Sequence, residues 1–327
     1  MFDHRPLTAD DGLRCRLWST VRRLAFSILS LLLVLLSGCQ AETSPTPAPS
    51  VTLALLGDVM LGRGVHLSAQ TFATLEPSLK SADLTLANLE SPLTNVPVQT
   101  QSPYALCASP GNVSYLAEAG FDLLSLSNNH RLDCGKEGLA ETQSTLTKAE
   151  LGFIGPGPEP VYRDINGIRL AFLAFDLTAG FRIETAKEAI RSAHGSGAVV
   201  IVSIHWGTEY QSGASPEQKQ IAAQLAEAGA ALIWGHHPHV LQPAEWINSG
   251  KTLALYSLGN ALFDQAGLAD TRQSALALVT LEASGVKTMR VIPFVINVPD
   301  SRIEEADPAS AETILGFFKR AVEKTDH

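Results

Sequence analysis

Apolar segments of strand length recur along this chain and alternate with segments that resemble helices. Their apolar residues are continuous instead of alternating with polar ones, which is typical of strands buried on both faces. Strand followed by helix, several times in succession, predicts an α/β protein. The apolar segments cover residues 51–57, 84–90, 122–130, 169–176, 198–207, 230–237 and 253–260.

The segments between them carry the start and stop signals of helices. In "SPEQKQIAAQLAEAG", Ser215 is placed to cap a helix, Pro216 to occupy its first position and Gly229 to end it. The later stretch "SALALVTLEASGVKTMRVIPFVINV" instead predicts a β-hairpin with its turn at Ser284 and Gly285. We therefore expect a mixed α/β (α+β) architecture with a second, partly antiparallel sheet.

Polar side chains follow the predicted strands at the point where each strand ends. In an open α/β sheet, the residues past the carboxyl ends of the strands converge on one rim, where ligands bind. Any one of these residues alone has an ordinary explanation as a turn or capping residue. Together they predict a metal site with the ligands Asp58, Glu90, Asn129, His205, His237 and His239.

Carboxylate, amide and imidazole groups suit one or two divalent ions of Mn, Zn, Fe or Mg, and histidine favours the transition metals. Such a site lowers the pKa of bound water, and a nearby histidine that is not a ligand can protonate a leaving group. We assign that second role to His130. Arg63, five residues past Asp58, is a candidate to bind a carboxylate or phosphate of the substrate, with a solvated arginine as the alternative.

The segment "LIWGHHPHVLQP" contains three of the nine histidines of the chain. A solvated loop and imidazoles hydrogen-bonded in a core are the alternatives to metal binding. If residues 235–239 are extended, His237 and His239 point the same way, whereas His236 points away from them. Further candidates for substrate contacts or for supporting the ligands are Asn88, Glu209, Tyr210, His236, Asn260 and Asp264, the last as a group that could orient a ligand histidine.

The amino terminus has the order of a secretion signal. Several arginines precede the apolar run of residues 24–36, which is short for a membrane span, and "LSGC" follows and ends at Cys39. We expect residues 1–38 to be a lipoprotein signal peptide and lipid on Cys39 to anchor the protein to the membrane, outside the cytoplasm. A plain signal anchor with an incidental cysteine is the alternative. Residues 39–50 are rich in proline and predict a tether, and residues 51–327 are long enough for a single domain.

Charge and cysteine content narrow the classes of protein further. The 24 basic and 33 acidic residues give a net charge of −9, which argues against nucleic-acid binding because phosphate contacts need a basic surface. Apart from Cys15 and Cys39, the chain has Cys107 and Cys134. In a compartment outside the cytosol we expect these two to form a disulfide, and two buried free thiols are the alternative.

A set of motifs resembles a known family. The segments "LALLGDVMLGRGV", "LANLESPLT", "AGFDLLSLSNNHRLDCGKEGLAET", "VSIHWGTEY", "GHHPHVLQP" and "YSLGNALFD" resemble, in order, those of the CapA family of poly-γ-glutamate capsule-synthesis proteins. That family is similar to calcineurin-like metallophosphatases. The resemblance implies a four-layer αββα fold, with two mixed β-sheets packed face to face and flanked by helices. It also implies an extracytoplasmic protein attached to the membrane.

The resemblance to the phosphatases is incomplete at the predicted site. Met60 stands where their first motif has a histidine ligand, Glu90 replaces an aspartate that bridges their two metal ions, and Arg131 stands where an acidic residue often follows. His205, His237 and His239 match their remaining histidines. Loss of one ligand leaves both one tightly held ion and two loosely held ions open.

Two hypotheses for the function remain. The first is a metal-dependent hydrolase or transferase that acts on an anionic polymer or a phosphoester at the cell surface. The second is a non-catalytic component that binds poly-γ-glutamate through a degenerate phosphatase site. In both cases the expected partners are the membrane, the polymer and the membrane proteins of capsule synthesis.

Overall fold

The computed structural model describes residues 48–180 and 182–325. The predicted signal peptide, Cys39 and most of the tether lie outside these residues. Within the described ranges, no helix is both long and apolar enough to cross a membrane.

Strands make up most of the regular structure of the described chain. In chain order they are β1 (Val51–Val59), β2 (Leu84–Leu89), β3 (Leu123–Ser125), β4 (Gly152–Ile154), β5 (Gly157–Ile165), β6 (Ile168–Asp176), β7 (Val199–His205), β8 (Ala230–His236), β9 (Leu241–Ile247), β10 (Thr252–Leu258), β11 (Asn260–Leu262), β12 (Gln273–Glu282), β13 (Gly285–Asn297) and β14 (Arg302–Glu305).

Helices connect or follow these strands. They are α1 (Glu76–Ser81), α2 (Val113–Ala119), α3 (Gly135–Lys148), α4 (Ile183–Gly195), α5 (Pro216–Ala228), α6 (Pro308–Gly316) and α7 (Lys319–Thr325). The predicted capping of α5 is confirmed: Ser215 and Gln218 form a capping box, Pro216 is the first residue, and Gly229 ends the helix in the left-handed conformation.

The described strands form two mixed sheets. The first has the order β14-β13-β12-β1-β2-β3-β4, with β11 beside β1, and the second has the order β5-β6-β7-β8-β10-β9. β1 to β4 are mutually parallel, as are β6, β7, β8 and β10, whereas the flanking strands are antiparallel. The predicted mixture of parallel and antiparallel pairing is therefore confirmed.

Three apolar layers hold the sheets and helices together. Leu53 and Leu55 of β1 pack between the two sheets with residues such as Phe172, while Leu56 of the same strand faces α1 to α3 on the outer side. A third cluster joins α4 and α5 to the outer face of the second sheet. Strand β1 is buried on both faces, which explains its continuous apolar sequence. The predicted four-layer αββα fold is confirmed.

Two predicted boundaries differ from the structure. The apolar segment 122–130 forms a strand only over Leu123–Ser125, and the polar residues that follow contact the neighbouring strand through a side chain. There Asn128 donates from Nδ2 to the carbonyl oxygen of Leu89 at 2.9 Å. The hairpin turn lies one residue earlier than predicted, because Gly285 already pairs with Glu282 as the first residue of β13.

Candidate metal centre

The predicted ligands lie at the carboxyl ends of parallel strands from both sheets. Asp58 is near the end of β1, Glu90 follows β2, His205 ends β7, and His237 and His239 follow β8. Directly below them, the indole nitrogen of Trp234 in β8 donates to the carbonyl oxygen of Leu56 in β1 at 2.9 Å. This bond joins the two sheets two residues before Asp58 in β1 and two residues before His236 in β8.

Glu90 has the least compensated side chain of the cluster. It is fully buried, and neither carboxylate oxygen has a hydrogen-bond partner among the described residues. Its Oε1 lies 3.6 Å from Nε2 of His205 and 3.9 Å from Nε2 of His239. Burial, and then the negative charge of Asp58, raise the pKa of Glu90 well above its usual range. A cation bound beside this carboxyl group would stabilise its charged form.

Burial favours the neutral form of His205 and His237, which is the form that binds metal. Burial lowers the pKa of His205 well below its ordinary value, and burial followed by the charge of His239 lowers the pKa of His237. Nδ1 of His205 and Nδ1 of His237 are buried and have no hydrogen-bond partner among the described residues. Nε2 of His205 lies 2.8 Å from Oδ1 of Asn129.

The buried carboxylate of Asp58 accepts hydrogen bonds, unlike that of Glu90. Its Oδ1 accepts from Nδ2 of Asn88 at 2.8 Å, and its Oδ2 accepts from the backbone N–H of His237 at 3.1 Å. Burial acts to raise the pKa of Asp58, but its interaction with His236, followed by the electrostatic effect of His239, outweighs burial and holds the pKa below its usual value. Asn88 therefore supports a ligand, one of the roles considered for it from the sequence.

Ligand atoms of these residues approach one another closely enough to share an ion. Three groups have all their ligand atoms within 4.8 Å of one another. They are Glu90 with His205 and His237, Asp58 with Glu90 and His239, and Glu209 with His237 and His239. Carboxylates and neutral imidazoles with unused buried atoms fit a divalent metal. Glu209, predicted as a substrate or supporting residue, joins the set of candidate ligands.

The segment after β8 is not extended, so this part of the sequence argument was wrong. The strand ends at His236, and His237 and His239 have φ values of 93° and 57°, in the left-handed region. Contacts from other segments hold this turn: the N–H of Tyr210 donates to the carbonyl oxygen of Pro238 at 2.8 Å, and Nδ1 of His239 lies 2.9 Å from Oδ1 of Asn260. His237 and His239 still face one region, but through the turn.

His236 lies closer to the site than an extended segment would place it. Its Nδ1 is 3.5 Å from Oδ1 of Asp58, and its ring meets the ring of Trp234 edge-on at 4.3 Å between centroids. Neither ring nitrogen has a hydrogen-bond partner among the described residues. A role in supporting Asp58 remains the prediction for this residue.

His130 is held by a carboxylate that the sequence reasoning missed. Nδ1 of His130 lies 2.8 Å from Oδ2 of Asp133, and Nε2 lies 4.0 Å from Oε1 of Glu90. A carboxylate oxygen only accepts, so Nδ1 carries a proton and Nε2 faces the cluster. The backbone N–H of Leu106 donates to the same Oδ2 at 2.8 Å. The spacing of three residues in "HRLD" was the available signal.

The predicted disulfide between Cys107 and Cys134 is present, with 6.4 Å between the Cα atoms. Each cysteine directly follows one partner of the Leu106–Asp133 hydrogen bond. The disulfide therefore joins the loop before residue 107 to the turn that carries His130.

Arg63 and Asp264 bind each other. Nε and Nη2 of Arg63 both donate to the carboxylate of Asp264, which also accepts from the N–H of Gly64 at 3.2 Å. Asp264, considered from the sequence as a group that could orient a ligand histidine, is bound to Arg63, and Asn260 has the contact with His239. The guanidinium lies 5.7 Å from the ring centroid of Phe263, whose ring is 4.8 Å from that of His239. Arg63 is thus beside the rim, with its paired donors occupied.

Comparison with known proteins places the chain among capsule proteins. Residues 52–265 match the model of a family described as bacterial capsule synthesis protein PGA_cap. The chain is 30% identical over 302 residues to the capsule biosynthesis protein CapA of Bacillus anthracis, with 81% of this chain and 70% of that protein covered. It is 30% identical over 294 residues to the PGA biosynthesis protein CapA of Bacillus subtilis, with 81% and 77% covered.

A solved structure supports the fold. A hypothetical protein from Thermus thermophilus superposes with a TM-score of 0.50 at 18% sequence identity. The superposition covers 75% of this chain and 99% of that one. At this level of identity the likeness concerns the fold alone.

Proposed function

This chain belongs to the PGA_cap family of bacterial capsule synthesis proteins, and we propose that it is a metal-dependent hydrolase or transferase that acts on poly-γ-glutamate. Membership of the family, together with the relatives named above, supports a function in the synthesis of a capsule or of polyglutamate. The catalytic role and the location on the outer face of the membrane, with lipid on Cys39, are parts of the proposal.

The observation that carries the catalytic proposal is the buried set of unused ligand atoms at the rim. Both oxygens of Glu90 lack hydrogen-bond partners among the described residues, and its Oε1 lies 3.6 Å from Nε2 of His205 and 3.9 Å from Nε2 of His239. Burying polar groups without partners costs free energy, so such a cluster is retained only where something else binds to it. A scaffold that holds a polymer at its surface has no need of it.

The residues that would hold the ion are Asp58, Glu90, His205, His237 and His239, with Glu209 and Asn129 at the edge of the group. A divalent ion in such a site supplies Lewis acidity and makes water a nucleophile near neutral pH. His130 is placed to deliver a proton: Asp133 fixes its ring through Nδ1, and Nε2 is directed towards Glu90. An imidazolium held in this way protonates the departing group of the substrate.

One observation favours the alternative, a non-catalytic protein that binds the polymer. Met60, which stands where the phosphatases have a ligand histidine, is fully buried and packs with Leu106 and Phe263. It contributes no strong metal ligand. A site with fewer ligands holds metal less tightly, and carboxylates of the polymer could then be bound without being cleaved.

Metal analysis and activity assays distinguish the two functions. We expect the purified chain to retain a divalent ion and to shorten or transfer poly-γ-glutamate, with release of a detectable new amine, when the ion is present. A generic phosphodiester serves as the second substrate. His205→Ala is the test variant, and His194→Ala, in the last turn of α4, is the matched control. Bound metal without a change in either substrate would favour the binding protein.

A further inference from the structure

Arg131 is fixed beside the metal centre by contacts that use only one of its terminal nitrogens. Nη1 donates to the carbonyl oxygen of Asn128 at 2.6 Å and to Oδ2 of Asp176. Asp176 is itself held, because its Oδ1 accepts from the N–H and the hydroxyl of Thr178 and from the N–H of Ala179. The guanidinium therefore has a defined orientation before any ligand arrives.

The paired donors of Arg131 remain unused. Nε and Nη2 lie on one edge of the guanidinium and together match the two oxygens of a carboxylate. Within residues 48–180 and 182–325, no group accepts a hydrogen bond from that edge of Arg131. Arg63 differs from Arg131 in this respect, because its Nε and Nη2 both donate to Asp264. The Arg131 side chain is 22% exposed and is among the residues that line a cavity.

A small cavity lies against this arginine. Its volume is about 110 Å³, which is enough for a carboxylate group with a few water molecules. Asp176, in its wall, pairs with His205 across β6 and β7, and adjacent strands are about 4.8 Å apart. The cavity is therefore next to the metal centre. It is lined in part by Ser127, Arg131, Gly157, Ala174, Asp176 and Gly180.

We propose that Arg131 and this cavity form a subsite for a carboxylate of the substrate, next to the bond that reacts at the metal centre. The inference rests on the proposed function. In a γ-linked glutamate chain, each unit has a free α-carboxylate on the carbon that also bears the amide nitrogen. A carboxylate held by Arg131 would thus place an amide bond of the polymer within a few ångströms.

The charge of the rim explains why such a subsite is needed. Asp58, Glu90, Glu209 and Asp133 place several carboxyl groups at or near the site. An anionic polymer that approaches them is repelled unless cationic groups bind it. Asp176 offsets part of the charge of Arg131, so the open bidentate edge of the guanidinium is the feature that selects a carboxylate over a neutral carboxamide.

The test compares two ligands on the full-length protein, purified in detergent with its metal content kept constant. The probes are a γ-linked glutamate trimer and the same trimer with every α-carboxylate converted to a carboxamide, and isothermal titration calorimetry gives both dissociation constants. We expect the wild type to prefer the acidic trimer and Arg131→Gln to weaken its binding about tenfold to a hundredfold, which removes most of the preference. Binding of the carboxamide should change little.

Two further variants guard against indirect effects. Arg131→Lys keeps a cation beside Asp176 but lacks the paired donors, so we expect a preference between those of the wild type and of Arg131→Gln. Arg290→Gln removes an exposed arginine from β13, which contributes no residue to the site, and should leave both dissociation constants unchanged. Thermal unfolding of each variant confirms that it is folded.

The outcomes that would overturn the subsite are distinct from those that bear on catalysis. Equal affinity of the wild type for the two trimers, or an undiminished preference in both Arg131 variants, overturns the subsite. Binding of inorganic phosphate that depends on Arg131, without binding of the acidic trimer, overturns it in favour of a phosphate site. If the protein binds the acidic trimer through Arg131 but cleaves neither poly-γ-glutamate nor the phosphodiester, the subsite stands and the catalytic proposal fails.

Discussion

At the scale of single residues, the buried charges of the rim differ in how they are compensated. Asp58 accepts hydrogen bonds from Asn88 and from the backbone of His237, whereas Glu90 accepts none from the described residues. Glu90 is therefore the residue for which a bound ion would change the environment most. His237 and His239 belong to overlapping groups of ligand atoms, so each is expected to contribute directly to metal binding.

Replacing His237 or His239 by alanine should remove most of the bound metal, because each change deletes a ligand atom from two of the overlapping groups. His236→Ala is the matched control: its ring contacts Asp58 and Trp234 and belongs to none of those groups. Metal per protein, measured by mass spectrometry at a fixed free metal concentration, gives the comparison. Retention of metal by both the His237 and His239 variants would contradict the assigned site.

His130→Ala and Asp133→Asn should retain metal and lose activity. A positioned proton donor contributes about 10²- to 10⁴-fold to rate, and Asp133→Asn should cost less than loss of the imidazole itself because the ring remains. The measurements are the rate constant on poly-γ-glutamate at saturating metal and its dependence on pH. If His130→Ala loses its metal in parallel with its activity, His130 is a ligand and not the proton donor.

At the scale of elements, two backbone features place the site. Gly57 precedes Asp58 in β1, and the N–H of Asp58 donates to the carbonyl oxygen of Gly259 at 3.1 Å. The close approach of these two backbones carries Asp58 to the rim. The disulfide Cys107–Cys134 restrains the turn that carries His130, because it joins this turn to the loop that ends at Leu106.

Gly57→Ala should destabilise the fold and weaken metal binding together. A Cβ atom at this position would lie 1.8 Å from the carbonyl oxygen of Gly259, so β1 and residue 259 must move apart. Overpacking of this kind costs about 1–3 kcal/mol of unfolding free energy, or more where backbone must shift. Urea unfolding gives the loss, and Gly213→Ala, where the added Cβ would meet no described atom within 4 Å, is the control.

Replacing Cys107 and Cys134 by serine should lower the unfolding free energy by about 3 kcal/mol, since the disulfide closes a loop of 27 residues in the unfolded chain. The double replacement should also reduce activity more than metal content, because the Leu106–Asp133 hydrogen bond that supports His130 is no longer restrained by the disulfide. Urea unfolding and metal analysis provide the two readouts.

Alkylation of the wild type without reductant, followed by mass analysis, tests the disulfide itself. It should leave Cys107 and Cys134 unmodified, and modification of both would disprove the bond.

At the scale of the whole molecule, β1 runs from the end of the predicted tether to the candidate metal centre. Val51 begins the strand and Asp58 lies near its other end, and a nine-residue strand is about 30 Å long. If lipid on Cys39 anchors the chain, the tether joins the domain at the end of β1 remote from the site.

Cys39→Ser should release the protein from the membrane or stall its processing, because the residue that we expect to carry the lipid is lost. Fractionation of cells and the mass of the chain, with wild type beside it, measure both effects. Cys15→Ser is the control, since Cys15 lies in the segment that we expect to be removed. Unchanged membrane retention and unchanged mass in the Cys39 variant would show that the anchor is elsewhere.

Sequence patterns predicted the class of fold, the positions of most strands, the helix that begins at Pro216 and the rim on which the polar residues meet. These follow from patterns that are local in the chain. Continuous apolar runs mark strands buried on both faces, capping residues mark helix ends, and parallel strands bring their carboxyl ends to one edge. For the same reason Asp58, Glu90, His205, His237 and His239 could be assigned to one site before any side chain was placed.

The orientation of those side chains could not be predicted from the sequence, because the contacts that hold them join segments that are distant along the chain. Arg63 and Asp264 are 201 residues apart, so no local pattern could show that they bind each other. The left-handed turn at His237 and His239 is held by Tyr210 and Asn260. The open donor edge of Arg131 likewise depends on Asp176, which comes from the other sheet and occupies only Nη1.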